Sequence, residues 1–542
     1  MKTIYINGQV FTGELPLAQA FAVEDGVFTA VGTTEALLAA RQPEDQVVSL
    51  DERFVCAGFI DSHMHLLNYG KAMTACDLTV CTDSIQSLQA GLRSFLSANP
   101  LPAGAWLAGR GWNQDYFTDT KRMPDRHDLD AVTTEHPIAI VRCCGHCLVT
   151  NTKALELLGI DGTQPQPDGG HYDVDKSGAP TGVFRDTAMT MILTQIPAPS
   201  RNELKHMLLI ASAALNSYGV TSCHTDDFCA FENVPWQEVM AAYRELEAEN
   251  AMTVRVYEQS QFTEINGLRD FLSQGYNTGV GSSMFRIGPL KLLGDGSLGA
   301  RTAFLSEDYA DAPGTRGLAI FTQEAFDELI GLAHASGMQV AVHAIGDGIL
   351  DRILTSYERA FAAHPREDHR SGIVHVQITR PDQLEKMRQM NLHAYVQTIF
   401  IDYDARMVLD RVGEERAATC YAFHSMREAG MHVSNGTDCP VEFPNATRGI
   451  QCAVTRTPID GSCPAYRPEE AMSVEEALQS YTTEGAWASF EERVKGRIQP
   501  GMYADFTLLN RNPFDVSPTE IAAIQAMETY LGGRRVFKRG NE

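Results

Sequence analysis

The sequence predicts an α/β fold: a (β/α)8 TIM barrel, a small β-sandwich domain built from both chain termini, and a large insertion after barrel strand 1. Three observations carry this. Eight short apolar segments alternate with amphipathic ones through the middle of the chain. Short strands with hairpin punctuation crowd both ends. The interval from about 66 to 205 fits neither pattern.

The N-terminal strands come first. Thr3-Ile4-Tyr5-Ile6 and Gln9-Val10-Phe11 flank Asn7-Gly8, and Phe21-Ala22-Val23 and Val27–Val31 flank Asp25-Gly26. Asn-Gly and Asp-Gly between apolar runs predict hairpins. At the other end, Ala504–Leu509 reads as a strand, and Gly532-Gly533 precedes Arg534-Arg535-Val536-Phe537. Each end is too short for a stable sheet unit of its own, so residues 1–55 and 497–542 are expected to pair into one sandwich.

Residues 56–496 then form the barrel. The strand candidates, in order, are Val55–His63, Val220–His224, Val254–Gln259, Ile287–Leu293, Gln339–His343, Ile373–Val376, Leu392–Gln397 and His432–Thr437. Phe326, Leu329, Ile330 and Ala333 fall at i, i+3, i+4, i+7, with Thr322 as N-cap and Gly337 as the stop. Ser473-Val474-Glu475-Glu476 is a capping box. The insertion holds one more strand candidate, Pro137–Arg142, and a Gly/Pro/Asp-rich stretch, Asp161–Gly182. An insertion at that point lies over the active-site mouth of such a barrel.

The chain has 542 residues, 44% of them hydrophobic, more than one ordinary domain uses. Its 44 Lys and Arg against 69 Asp and Glu leave a net charge of −25. That excess disfavours nucleic acid and anionic membrane as partners and fits a soluble protein; the partner expected is a small-molecule substrate. The start, MKTIYINGQV, lacks the apolar core of a signal peptide, and no apolar run reaches membrane-spanning length. The twelve cysteines are therefore expected as reduced thiols in a cytoplasmic protein. Homo-oligomerisation is left open.

Polar residues stand at the predicted C-terminal ends of the strands. Strand one ends in His63-Met64-His65, strand five in His343, strand six in His375 and strand eight in Asp438, while strand four carries Lys291. Alternation along a strand puts His63 and His65 on one face. Taken singly, each has a plain reading: a histidine hydrogen-bonded in a core, an aspartate in a turn, a lysine reaching solvent. Together, at the one barrel face where strand ends converge, they predict a metal site. Lys291 is the odd member. A cation among metal ions is disfavoured, so it is expected neutral and nucleophilic, fit for a Schiff base or for a carbamate formed with carbon dioxide.

The stretches GFIDSHMHL, KLLGDGSLGARTA, VAVHAIGD, IVHVQ, SNGTDCPVE and GRIQPGMYADFTLL occur in an order that resembles the amidohydrolase superfamily, in particular the branch that includes N-substituted formamide deformylase. The resemblance covers nearly the whole chain. It implies two divalent ions, zinc in most members. His63, His65 and Asp438 would hold the first, His343 and His375 the second, and a carboxylated Lys291 would bridge them. A metal-bridging hydroxide would then attack a substrate carbonyl, with Asp438 as catalytic proton shuttle, cleaving an amide-type C–N bond (N-formyl or N-acyl) other than a peptide bond. Trp112 and His146, beside motifs near the mouth, and Asp295 and Arg301, close after Lys291, are candidates for substrate contact. For Trp112 packing of the insertion is an equal alternative, and Asp295 and Arg301 are candidates for an ion pair.

Three other readings compete. Cys144-Gly145-His146-Cys147 is a Cys-x-x-Cys, but its surroundings lack a thioredoxin pattern. A mononuclear-metal deaminase of the same fold would need no bridging lysine and commonly has a Glu after the strand-five His, where this chain has Ala344-Ile345-Gly346-Asp347. A non-catalytic metal-binding or regulatory protein is disfavoured by the complete ligand set.

Overall fold

The computed structural model describes residues 2–540 except 82, 119, 121, 144, 145, 168 and 232. Cys144 and Gly145 of the Cys-x-x-Cys segment thus lie outside the described residues. The chain divides into two compact units, one of residues 1–66, 208–230 and 235–542, the other of residues 67–207 and 231–234.

The first unit contains eight parallel strands: β1 (Phe59–Met64), β2 (Val220–Thr225), β3 (Arg255–Gln261), β4 (Phe285–Leu293), β5 (Val340–Ala344), β6 (Gly372–His375), β7 (His393–Val396) and β8 (Val433–Asn435). They are hydrogen-bonded in sequence order from β1 to β8. At the closing edge Asp438 N donates to His63 O at 2.8 Å. A Cβ on Gly436 would meet His63 N at 2.6 Å, so only glycine lets the β8 end come so near β1. The result is a nearly closed TIM barrel.

Helices follow the strands as the periodicity predicts. Thr322 caps helix Gln323–Ala335 by accepting from Ala325 N, and Gly337 (φ +84°) ends it. Ser473 and Glu476 form the capping box of helix Val474–Ser480. No helix among the described residues is long and apolar enough to cross a membrane.

Strands from both chain ends meet in this unit. One sheet holds Val27–Gly32, Ala20–Glu24, Thr3–Ile6 and Gln46–Ser49, and a second holds Gln9–Phe11, Phe54–Ala57, Phe506–Leu509, Ala526–Leu531 and Arg534–Lys538. Their shared core includes Tyr5, Phe21, Phe28, Phe506 and Tyr530. Tyr5 stacks on Phe21 at 4.8 Å and Phe506 on Tyr530 at 4.4 Å. Each such ring contributes about 1.5–3 kcal/mol by leaving water.

Two local expectations need correction. Asn7-Gly8 is not a hairpin: Thr3–Ile6 and Gln9–Phe11 belong to different sheets. Asn7 (φ +55°) turns the chain across from one sheet to the other. By contrast Asp25-Gly26 (φ +50° and +81°) makes the expected antiparallel hairpin. The apolar run before His63 is likewise two strands. Phe54–Ala57 pairs with Phe506–Leu509, and the barrel strand begins at Phe59. Gly58 makes the switch, where a Cβ would lie 2.2 Å from Thr221 Oγ1. Periodicity missed this because both pieces are fully buried and read as one apolar run.

The second unit carries a six-stranded sheet in the order Gly170–Val174, Pro180–Asp186, Cys147–Thr150, Ile138–Arg142, Leu107–Trp112, Cys76–Asp77. Its core includes Leu78, Leu88, Leu92, Leu107, Trp112 and Ile140.

Candidate metal centre

The strand ends present their histidines in fixed orientations. His63 Nδ1 lies 2.7 Å from Gln259 Oε1, at the end of β3. The Gln259 amide nitrogen donates to Ser62 O at 3.3 Å, so its oxygen faces the ring and His63 donates through Nδ1. His375 repeats the device: Nδ1 is 2.6 Å from Gln397 Oε1, while Gln397 Nε2 donates to Tyr395 O at 3.3 Å. His65 Nδ1 is hydrogen-bonded to Asp226 Oδ1. In all three rings Nδ1 is taken, which leaves Nε2 as the nitrogen that could serve as a ligand. Metal-binding histidines are held in this way.

His65 Nε2 and His63 Nε2 converge on Asp438 Oδ1, at 2.9 and 3.4 Å. Among the described residues, His63, His65 and Asp438 form a group whose ligand atoms all lie within 4.8 Å of one another. The His343 and His375 rings pack edge to face with centroids 4.4 Å apart, and His375 is 5.6 Å from His63. His343 has the opposite attachment: Nε2 is 3.1 Å from Gly296 O and 3.2 Å from Asp295 Oδ1, which leaves Nδ1.

Backbone strain marks the same place. Asp438, His375 and Val376 have φ of +58°, +79° and +52°, unusual for non-glycine residues and most so for a β-branched one. Asp61 accepts from Thr437 N at 3.0 Å and His63 N at 3.3 Å, tying β1 to the β8 end.

Electrostatics suit cation binding. Burial alone would raise the Asp438 carboxyl, but the His63 and His65 rings outweigh it and hold the group well below the usual carboxylate range. Burial lowers His63 and lowers His375 further, so both are neutral and carry a free nitrogen lone pair. For His65, burial is outweighed by the Asp226 and Asp438 carboxylates, which raise it to about 10 in the metal-free protein. A bound cation would take that proton's place. Two facing carboxylates, neutral imidazoles and a confined donor set fit a divalent ion.

Lys291, wholly buried on β4, does not stand among cations only. Its Nζ is 3.5 Å from Asp226 Oδ2, a neighbour that the sequence reading left out. The substrate candidates fare unevenly. Trp112 is 0% exposed and donates from Nε1 to Ile140 O, so the packing alternative describes it. His146, in the same second unit, is exposed and 3.2 Å from Asp186 Oδ1. Asp295 and Arg301 do not pair. Asp295 takes the backbone N–H groups of Phe304, Ile345 and Gly346, while Arg301 binds Asp311 in bidentate fashion at 2.7 and 3.0 Å. The Arg301 backbone, at φ +57°, lies in the turn that brings it to Asp311.

Gln259, Gln397 and Asp226 are the site residues that the sequence reading missed. The glutamines end predicted strands three and seven, and Asp226 follows the second closely. Their positions were legible, but amides and a carboxylate at strand ends name no role until their partners are known.

Comparison with known proteins agrees with this architecture. The model of an amidohydrolase family matches residues 46–537. YtcJ of Bacillus subtilis (strain 168), an amidohydrolase by name, is 31% identical over 546 residues, which cover 99% of this chain and 100% of that protein. N-substituted formamide deformylase of Arthrobacter pascens is 25% identical over 543 residues, with 96% and 95% covered. The crystal structure of an uncharacterised metal-dependent hydrolase from Pyrococcus furiosus aligns with a TM-score of 0.78 at 28% identity, covering 95% of this chain and 100% of that one. With a family model spanning most of its length and a 31% identical relative matched end to end, the chain belongs to the amidohydrolase family.

Proposed function

We propose that this amidohydrolase is a metal-dependent hydrolase of an amide-type C–N bond, other than a peptide bond, in a small molecule. His63, His65 and Asp438 would hold one divalent ion, His343 and His375 a second, and a carboxylated Lys291 would bridge them. The two terminal sheets are read as one small β-sandwich domain beside the barrel. The observation that carries the reading is the attachment of three imidazoles by Nδ1, which aims their remaining nitrogens as ligands.

A divalent ion held there supplies a Lewis acid and brings the pKa of an adjacent water toward about 7. The rest falls to the chain. Asp438 Oδ1 faces Nε2 of both His65 and His63, the side on which an ion would lie, so Oδ2 is the atom left to accept the proton of the attacking water. Its depressed pKa keeps it ionised and ready at neutral pH. The same oxygen then hands the proton to the leaving nitrogen as the C–N bond breaks. The name of the Arthrobacter relative makes N-formyl amines the first substrates to offer, followed by other N-acyl amines.

The test is metal analysis of the purified chain together with turnover on a panel of N-formyl and N-acyl amines. Two zinc ions per chain and release of an amine are expected. One ion with ring deamination would replace this reading with the mononuclear one. A metal-loaded protein inert toward every C–N bond offered would refute it.

A further inference from the structure

We propose that Asp226 is a positioning residue of the metal centre. Its two oxygens are divided between two ligands: Oδ1 fixes His65 through Nδ1, and Oδ2 holds the Lys291 amine. The inference rests on the metal-centre reading given above.

Asp226 follows β2, a strand that contributes no ligand to the proposed set. It is 3% exposed, so its carboxylate is there for protein partners and not for solvent. Both partners are ligand candidates: His65 on Oδ1, and Lys291 at 3.5 Å from Oδ2. His65 stands just after β1 and Lys291 within β4. One rigid carboxylate thus sets the orientation of groups from two strands that do not pair with each other. The contact to Lys291 is compatible with carboxylation, because a carbamate nitrogen keeps one hydrogen.

The segment around Asp226 is itself braced. Thr225 Oγ1 accepts from Leu66 N at 2.7 Å, locking the end of β2 to the residue after His65. The same hydroxyl donates to Asp227 Oδ1 at 2.8 Å. Asp227 is further held by the Tyr243 hydroxyl, and its backbone N–H donates to Glu258 Oε1 at 3.0 Å. A carboxylate mounted on such a frame cannot follow a misplaced imidazole. The imidazole must come to it.

Asparagine at this position keeps the shape but replaces one acceptor oxygen with a donor, so the His65 and Lys291 N–H groups can no longer both donate to it. The experiment is zinc competition against a chromophoric chelator, with the visible spectrum of the cobalt-substituted protein as a readout of ligand geometry. Asp226→Asn is expected to weaken zinc binding about 10–100-fold, the usual effect of removing a group that orients a ligand. The cobalt bands should change, with far-UV circular dichroism unchanged. Wild-type zinc affinity together with a wild-type cobalt spectrum in Asp226→Asn would overturn the proposal.

Should Asp226→Asn fail to fold because Lys291 is left unpaired, Lys291→Met is compared with Lys291→Met/Asp226→Leu. The second substitution should then lower zinc affinity a further tenfold or more, and equal affinities overturn the proposal. A wild-type chain that binds no divalent ion would instead sink the metal-centre reading, and this inference with it.

Discussion

Replacing Gln397 with leucine tests the orientation of His375 without touching a ligand. The substitution keeps nearly the same volume at a fully buried position. It removes the Oε1 acceptor 2.6 Å from His375 Nδ1 and puts a hydrocarbon there. Losing the hydrogen bond costs about 0.5–1.5 kcal/mol, and leaving a buried N–H unsatisfied costs about 1–3 kcal/mol. The ring can escape the second cost only by moving its proton to Nε2, the atom needed for the metal. The hydrogen bond is lost in free and loaded protein alike, so metal binding is weakened by the second cost, about 1–3 kcal/mol, and at about 1.4 kcal/mol per decade that is roughly a 5–150-fold loss of metal affinity. The assay is zinc competition on the purified variant, with the metal-free melting temperature as a control on folding. Zinc affinity within twofold of wild type in a folded Gln397→Leu would refute the argument that Nδ1 anchoring aims this imidazole.

Further outcomes follow from other contacts. Asp438→Asn keeps the side-chain shape but removes the ionised acceptor, so hydrolysis should fall by about 10²–10⁴ in kcat, read in a metal-verified sample. Asp505→Ala leaves Arg255, buried and bound to it at 2.6 and 3.0 Å, without a counter-ion, and chemical denaturation should report about 3–5 kcal/mol of lost stability. Burial raises the Asp404 carboxyl from 3.8 to about 6, so between these values the folded chain keeps a proton that the unfolded chain releases. Stability therefore falls as pH rises through that window and is level above it, by about 3 kcal/mol in all. The Tyr421 hydroxyl and Gln377 Nε2 both donate to Oδ2, at 2.7 and 3.1 Å, so an asparagine oxygen placed there keeps both contacts. Denaturation of Asp404→Asn from pH 4 to 7 should show that slope flattened, and an unchanged slope would assign it to another group.

The sequence determined what local physics can write: the alternation of apolar strands and amphipathic helices, the capping box at Ser473, the Asp25-Gly26 hairpin, and histidines at strand ends. Each is set by residues within a few positions of one another, where periodicity and backbone preference act directly. Tertiary structure decided whatever depends on partners distant in the chain. Gly58 divides one apolar run between two sheets because Thr221, from β2, lies where a side chain would go. Arg301 turns to Asp311 and not to Asp295, whose oxygens are taken by backbone N–H groups of the following strand's loop and by His343. Lys291 acquires a carboxylate neighbour 65 residues away, and three imidazoles acquire the oxygens that fix which nitrogen they offer. A sequence pattern states which donors stand at the mouth of a barrel. The direction in which each donor points is fixed by hydrogen bonds between strands, and those exist only once the barrel is assembled.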